Sequence, residues 1–222
     1  MNTKIVLLFL PLIMTFSNAS TIQTPIVKPF QNFHICEQVT PLMHACQDGK
    51  VDEVKRLVRE GALVNAMDYW EFLRGGTSVL GYAFRRDISS DILNELLQAG
   101  ANPNSFINDG IHLEPDLHVR IIPVLTYAIS RRVPIQYPHQ KTSFGAVEQL
   151  IYAGADVNAP DPIFNIVTPL IMAAGLGQVE TVKYLLQVKA DKRFKNRFNK
   201  TALDYAREHL HRVQEIIALL EK

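Results

Sequence analysis

Residues 40–65 read "TPLMHACQDGKVDEVKRLVREGALVN" and contain two short amphipathic segments. The first segment opens with Thr40 and Pro41, which are typical of a helix start. A threonine side chain can cap the free amides of the first turn, and proline in that turn has no amide that needs a partner. Leu42 and Ala45 lie three residues apart and so share one face of the predicted helix, where the small alanine permits close packing.

The second segment carries an apolar stripe formed by Val54, Leu57 and Val58. Gly61 follows, and a glycine at this point is typical of a residue that ends a helix in the left-handed conformation. A hairpin of two such helices buries its stripes only against a neighbouring copy, so the stretch predicts a stack of similar units.

Four further copies of the pattern follow along the chain. Residues 168–191, "TPLIMAAGLGQVETVKYLLQVKAD", repeat it closely, and weaker copies lie at 78–104, 123–158 and 201–222. The alanines that anchor the pattern are separated by 38, 45, 45 and 33 residues; they are Ala45, Ala83, Ala128, Ala173 and Ala206. The combination of T-P-L-x-x-A with G-A-x-x-N resembles the ankyrin repeat over about residues 40–222.

This resemblance implies an all-α solenoid of about five helix-turn-helix repeats with short β-hairpin fingers between them. The expected repeats are about 40–68, 78–107, 123–160, 168–196 and 201–222. The position after T-P-L is normally histidine in the family, but here it is occupied by Met43, Gly81, Thr126, Ile171 and Asp204. The hydrogen bonds that the histidine would make must therefore be replaced. Lys189 also replaces the helix-ending glycine of the fourth copy.

The residues before the repeats predict export. Lys4 precedes an apolar run from Ile5 to Phe16, and small residues before Ser20 suit cleavage by signal peptidase. Residues 1–19 are therefore interpreted as a signal peptide, with an uncleaved anchor as the alternative, and residues 20–39 as an N-terminal tail or cap. The mature protein is expected to be periplasmic or secreted and to have no membrane contact after cleavage.

Composition argues against several classes of function. The full chain has a formal net charge of +1, and removal of the predicted signal leaves equal numbers of basic and acidic residues. Such a balance is atypical of a protein that binds nucleic acid by neutralising phosphates. The sequence contains no glycine-rich phosphate loop, H-E-x-x-H motif or paired-cysteine metal motif, so neither catalysis nor a cofactor is expected.

Two intervals between repeats, Asn65 to Ser78 and Asn104 to Pro123, exceed the usual finger length of the family. The first contains "MDYWEFLRGG" at 67–76, with large aromatic residues where loops normally carry small polar ones. Two interpretations are open: the aromatic residues fold back over the second finger, or they form a protein-binding patch of Tyr69, Trp70, Phe72 and Arg74. A separate insertion, about Arg131–Ser143, splits the third copy between its helices.

The second interval contains alternating histidines and carboxylates at His112, Glu114, Asp116 and His118. An extended strand would place all four on one face, where they could hold zinc or another divalent ion. The alternative is a solvated polar finger without metal.

The two cysteines, Cys36 and Cys46, also have two interpretations. In an oxidising compartment they could form a disulfide that closes a small loop. Otherwise Cys46 is a small buried helix residue.

Residues 189–200, "KADKRFKNRFNK", hold six basic residues and one acidic residue, with Phe194 and Phe198 interleaved. In one interpretation this finger is solvated and its phenylalanines pack on neighbouring helices. In the other, its basic side chains contact an acidic protein, through Lys192, Arg193, Lys195 and Arg197.

Together, the repeats and the leader predict a monomeric, non-catalytic protein-binding module that acts outside the cytosol. Its unidentified protein partner is expected to meet the fingers and the concave face, and no nucleic acid is expected. Two alternatives are a secreted effector or toxin-neutralising binder, and a metal-binding protein that uses the cluster at 112–118.

Overall fold

The computed structural model places ten helices and four short strands within the residues it describes. Those residues are 34–36, 38–68, 76–85, 89–108, 121–130, 142–161, 167–208 and 214–221. The helices are α1 (Pro41–Asp48), α2 (Val51–Arg59), α3 (Val79–Ala83), α4 (Ser90–Gln98), α5 (Val124–Ser130), α6 (Thr142–Tyr152), α7 (Pro169–Gly175), α8 (Val179–Gln187), α9 (Ala202–Glu208) and α10 (Gln214–Glu221). The strands are β1 (His34–Cys36), β2 (Ala66–Asp68), β3 (Phe106–Asn108) and β4 (Ile121–Pro123).

The helices occur in consecutive pairs, one pair for each predicted repeat. Within the pairs, α1 packs on α2, α3 on α4, α5 on α6, α7 on α8 and α9 on α10. First helices of successive repeats also contact one another: α1 with α3, α5 with α7 and α7 with α9. Second helices form a layer of their own through the contacts of α2 with α4, α4 with α6 and α8 with α10. The two layers that result confirm the predicted helix-turn-helix solenoid.

The predicted capping residues begin their helices as expected. The Thr40 side chain accepts a hydrogen bond from the Met43 N–H at 3.3 Å, and Thr168 accepts one from Ile171 at 3.3 Å. Thr201 caps α9 in the same way, through the Asp204 N–H. These bonds satisfy amides that the first turn leaves unpaired.

Left-handed residues follow the second helix in four of the repeats. Gly61, Gly100 and Gly154 have φ angles of 84°, 85° and 95°. Lys189, the predicted replacement in the fourth copy, takes the same conformation with φ 66°. A side chain disfavours this backbone region, so Lys189 holds a strained position that a glycine would occupy without that steric strain.

The position after T-P-L shows how the missing histidine is replaced. In α1, the Met43 sulfur accepts the Thr40 N–H at 3.4 Å, and in α9 an Asp204 carboxylate oxygen accepts the Thr201 N–H at 2.8 Å. At Gly81 the replacement comes from the backbone, because the absence of a side chain leaves room for β3 to pack closely. A Cβ there would lie 2.9 Å from the Phe106 carbonyl oxygen, which accepts a hydrogen bond from the Ser78 N–H.

A ladder of asparagine side chains joins successive repeats, and we call it the asparagine ladder. Asn65 donates to the Gly100 carbonyl at 3.0 Å and accepts from the Asn102 N–H at 2.7 Å. Asn104 donates to Gly154 at 3.2 Å and accepts from Asp156 at 2.6 Å. Asn158 accepts from Asp191 at 2.7 Å. The asparagine of each G-A-x-x-N pattern therefore fixes the position of the next repeat.

The strands form two small sheets beside the helices. β1 pairs in parallel with β2, with Cys36 opposite Asp68, so part of the predicted N-terminal cap lies against the first finger. β3 and β4 form the antiparallel pair expected of a finger, with Ile107 opposite Ile122. Among the described residues, those of the last finger, 191–200, form turns and no strand.

A single hydrophobic core runs through the stack. All five anchor alanines are at most 4% exposed, as the packing interpretation requires; they are Ala45, Ala83, Ala128, Ala173 and Ala206. Val54 is fully buried, whereas Leu57 and Val58 are partly buried against the core. None of the described helices is long and apolar enough to span a bilayer.

Candidate functional site

Eight of the predicted contact or metal-binding residues lie outside the described residues: Tyr69, Trp70, Phe72, Arg74, His112, Glu114, Asp116 and His118. The predicted signal peptide lies outside them as well, as do residues 131–141 of the insertion. α6 begins at Thr142, so the last two residues of the predicted insertion belong to a helix. In the part of the chain that is described, no group of three or more His, Cys, Asp or Glu side chains is placed to hold a metal ion.

A buried polar network forms the base of the first finger. Asp68 is 2% exposed, and its carboxylate accepts hydrogen bonds from the Thr77 N–H and, at 2.6 Å, from the Tyr82 hydroxyl. Arg85 donates to the Thr77 hydroxyl at 3.1 Å, and its guanidinium carbon lies 4.3 Å from the centroid of the Tyr82 ring. Burial, reinforced by the bond to Asp68, raises the pKa of Tyr82, so the phenol stays protonated and acts as a donor.

This network joins the two ends of the first finger. Asp68 donates its backbone N–H to the Thr77 carbonyl at 3.2 Å, and Met67 forms a bridge with Ser78. A Cβ at Gly76 would lie 1.7 Å from the Asp68 carbonyl oxygen, so only glycine fits where the chain returns to the stack. The residues that flank the predicted aromatic patch are therefore held together and attached to α3.

One side-chain position recurs on every first helix, immediately before the anchor alanine. We call these five residues the inner row: His44, Tyr82, Tyr127, Met172 and Tyr205. Tyr82 is buried in the network of the first finger, and His44 is exposed. The remaining three are half-buried and pack with one side against the core. Since α5 contacts α7 and α7 contacts α9, these three occupy equivalent places on neighbouring helices.

Sequence reasoning missed the inner row, although the signal was present. Alignment of the five copies places histidine, tyrosine or methionine before every anchor alanine, where a solvated helix surface would not require a large residue. Methionine and aromatic residues are enriched at protein interfaces. The buried pairing of Asp68 with Tyr82 had no comparable signal, because the two residues belong to different elements.

The predicted basic contact residues lie together in a turn between α8 and α9, which we call the basic turn (residues 192–198). Lys192 is half-buried, whereas the other three are exposed, namely Arg193, Lys195 and Arg197. Asn196, in the middle of the turn, is 5% exposed and donates to the Tyr205 hydroxyl at 2.9 Å. The basic turn is thereby attached to the last residue of the inner row.

The two phenylalanines of this turn behave differently. Phe194 packs against the core, as one interpretation of the sequence predicted. Phe198 does not: it is 55% exposed. The expectation that both rings pack on neighbouring helices is therefore wrong for Phe198, because the tight turn around Asn196 directs that residue away from the core.

The structure does not join Cys36 and Cys46 in a disulfide. Cys46 lies on the buried face of α1 and is 3% exposed, which agrees with the alternative of a small buried helix residue. Burial raises the pKa of its thiol to about 12, so the reactive thiolate is scarce at neutral pH.

These features define a class, the helical repeat solenoid whose successive units are joined through finger loops. A family described as ankyrin repeats (3 copies) matches residues 13–107 and 139–222. The chain therefore belongs to the ankyrin repeat family. A search of curated proteins found no match. Ankyrin repeats are generally protein–protein interaction modules and are typically non-catalytic.

Proposed function

We propose that the protein is a non-catalytic, monomeric module that binds another protein outside the cytosol. Its partner contacts the exposed and half-buried members of the inner row together with the first-finger residues Tyr69, Trp70, Phe72 and Arg74. The observation that carries this proposal is the inner row, in which Tyr127, Met172 and Tyr205 occupy one register on adjacent helices and remain partly exposed.

The inner row has the properties of a pre-organised binding surface. Each half-buried side chain is already packed on the core, so a partner orders it at little further cost in conformational entropy. Tyr205 is also fixed by the hydrogen bond from Asn196. A large aromatic side chain with an ordered polar end is the type of residue that dominates interface energetics.

The first finger is included because its base is continuous with the inner row. Tyr82 belongs to the row and also bonds to Asp68, the last described residue before the aromatic segment. A partner that covers the first helices would therefore reach the described ends of the first finger, Asp68 and Gly76. Tyrosine, tryptophan and arginine in that segment are the residue types most often found at interface hot spots.

Site-specific photo-crosslinking tests the binding surface. Benzoylphenylalanine at position 127 places the crosslinker in the inner row, and the same residue at position 94, on the exposed side of α4, serves as the matched control. We expect one protein to be crosslinked from the exported fraction at position 127 and not at position 94. Capture of the same protein at both positions, or at neither, would contradict the proposal.

A second arm tests the finger and separates protein binding from metal binding. The variant Tyr69→Ser/Trp70→Ser/Phe72→Ser should lose the partner captured at position 127, whether or not a chelator is present. Loss of capture by wild-type protein in the chelator would instead favour the metal cluster at 112–118.

The location is tested separately, because its support comes from the sequence alone. The N-terminus of the mature chain should be Ser20, determined by Edman sequencing or mass spectrometry of the exported fraction. A chain that keeps Met1 and stays in the cytosolic fraction would refute export without affecting the binding proposal.

A further inference from the structure

Tyr82 differs from the other tyrosines of the inner row because it is buried. It is 2% exposed, whereas Tyr127 and Tyr205 are half-buried. Arg85 lies two residues beyond the end of α3, and its guanidinium carbon is 4.3 Å from the centroid of the Tyr82 ring. Arg85 itself is exposed. At this point of the row, a partner would therefore meet the arginine and not the tyrosine beneath it.

The Arg85 side chain is held in a defined position despite its exposure. Its Nη2 group donates to the Thr77 hydroxyl at 3.1 Å, and its charge lies against the Tyr82 ring. Both groups are buried and fixed by further bonds, since the Thr77 hydroxyl accepts the Asn108 N–H at 3.2 Å and the Tyr82 hydroxyl donates to Asp68 at 2.6 Å. The guanidinium has therefore lost part of its conformational freedom before any partner binds.

Most of the hydrogen-bonding capacity of this guanidinium is unused within the described residues. Arginine has five N–H donors, of which one bonds to Thr77 and lies beside the Tyr82 phenol. Across the described ranges, no carboxylate forms an ion pair with Arg85. The Asp68 carboxylate of the same network accepts the Thr77 N–H and the Tyr82 hydroxyl instead. The remaining donors of Arg85 can bind an acceptor from outside the chain.

A carboxylate is the acceptor that complements this group best. The planar fork of a guanidinium matches the two oxygens of a carboxylate through a pair of parallel hydrogen bonds. Phosphorylated peptides are generally recognised by clusters of arginines, whereas the described residues of this network include a single arginine.

We propose that Arg85 binds the side-chain carboxylate of a glutamate or aspartate of the protein partner and takes the place of the buried Tyr82 in the contact row. This inference rests on the proposed function, since it names one group of the partner that covers the inner row. The contact also selects between partners. A neutral apolar side chain opposite Arg85 would bury several N–H donors without an acceptor, which costs more than the loss of a favourable contact.

Zero-length carbodiimide coupling tests the contact, using the mature chain and the purified protein that is captured at position 127. Carbodiimide joins an amine to a carboxylate and takes up the water that is released, and it adds no spacer, so the two groups must touch. The Arg85→Lys variant supplies an amine at position 85. We expect mass spectrometry to find this amine in an amide bond with a glutamate or aspartate of the partner. Arg59→Lys, at an exposed position on α2, is the matched control and should give no such product.

Binding measurements with the same purified partner give the strength of the contact. Arg85→Gln should weaken binding about ten-fold, because it removes charge-assisted hydrogen bonds. Arg85→Lys should recover part of this loss, because lysine keeps the charge but lacks the planar fork. Arg59→Gln changes the net charge equally and should bind as the wild type does. Thermal melting checks that each variant is folded at the temperature of the measurement.

The inference is overturned if Arg85→Gln binds the partner with wild-type affinity, or if coupling at position 85 is no stronger than at position 59. Loss of binding after phosphatase treatment of the partner would also overturn it, by assigning the contact to a phosphate. In each of these cases the protein captured at position 127 still supports the proposed function. Absence of any captured protein would instead refute the proposed function, and this inference with it.

Discussion

Removal of one rung of the asparagine ladder should weaken the coupling between two repeats without disturbing either core. Asn104 joins the second and third repeats, because its side chain donates to Gly154 at 3.2 Å and accepts from Asp156 at 2.6 Å. The residue is exposed, so its replacement by alanine leaves no cavity. The variant Asn104→Ala therefore isolates the contribution of these two hydrogen bonds.

The expected loss follows from the number and exposure of the bonds. A hydrogen bond contributes about 0.5–1.5 kcal/mol net, and water can partly replace bonds at an exposed site, so Asn104→Ala should cost about 1–1.5 kcal/mol. Asn65 makes the same two bonds and is half-buried, which predicts an equal or larger loss. Asn158 accepts one bond, from Asp191, and its replacement should cost about half as much.

Urea denaturation followed by circular dichroism measures the free energy of unfolding and its dependence on denaturant. Because stability in a repeat array depends on nearest-neighbour coupling, the Asn104→Ala transition should also become broader. The control is Asn94→Ala, on the exposed surface of α4, where alanine is a better helix former than asparagine. An Asn104→Ala stability within about 0.3 kcal/mol of the wild-type value would show that the ladder is not energetically important.

Three further predictions concern local strain and titration. Asp204→Ala should cost about 1 kcal/mol, because the Asp204 carboxylate accepts hydrogen bonds from the N–H and the hydroxyl of Thr201, the residue that caps α9. These bonds hold the pKa of Asp204 below its usual value of 3.8. The stabilisation is therefore present above that pH and is lost as the pH falls through the lower, folded-state pKa. Lys189→Gly should stabilise by about 0.5 kcal/mol, since relief of left-handed strain exceeds the added entropy of the unfolded chain. The Cys46 thiol, with its pKa raised to about 12, should react with a disulfide reagent only through unfolding.

Each of these predictions has a direct check. Urea titrations of wild type and Asp204→Asn across the acidic range should show a smaller loss of stability in the variant. Parallel curves would show that the Asp204 carboxylate does not cause the pH dependence of stability. Gly154→Ala is the converse check, because position 154 has φ 95° and open space around it. This substitution should lower the stability of the protein, whereas Lys189→Gly should raise it. Thiol reactivity is measured in a Cys36→Ser background, where a native-state rate equal to that of a free thiol would contradict the buried position of Cys46.

The repeat architecture was predictable because its signals are local. Thr40 and Thr168 cap helices, Gly61 ends one, and the alanine of each copy packs in the core, and each of these roles depends on residues a few positions apart. Such roles follow from backbone geometry that is the same in any helix. The helix-turn-helix solenoid could therefore be predicted from spacing.

The solutions found where the pattern is broken depend on distant parts of the chain and could not be predicted. At position 81 the histidine of the pattern is replaced by glycine. The Phe106 carbonyl of β3 occupies the space that a side chain would fill and accepts the Ser78 N–H. The carboxylate of Asp68 is buried because Tyr82 and Thr77 meet it after folding. The sequence placed Asp68 in a loop segment, where a carboxylate is usually solvated.

The same reasoning separates the residues that hold the stack from those that meet a partner. The asparagine ladder uses side chains whose polar atoms are already bonded between repeats, so their loss should alter stability first. The inner row differs, because Tyr127 and Met172 pack with one side against the core and leave the other side partly exposed. Met172→Gln should therefore weaken capture of the partner crosslinked at position 127 more than it lowers the free energy of unfolding. If Met172→Gln lost as much stability as Asn104→Ala and kept capture at the wild-type level, the inner row would belong to the packing of the stack and not to recognition.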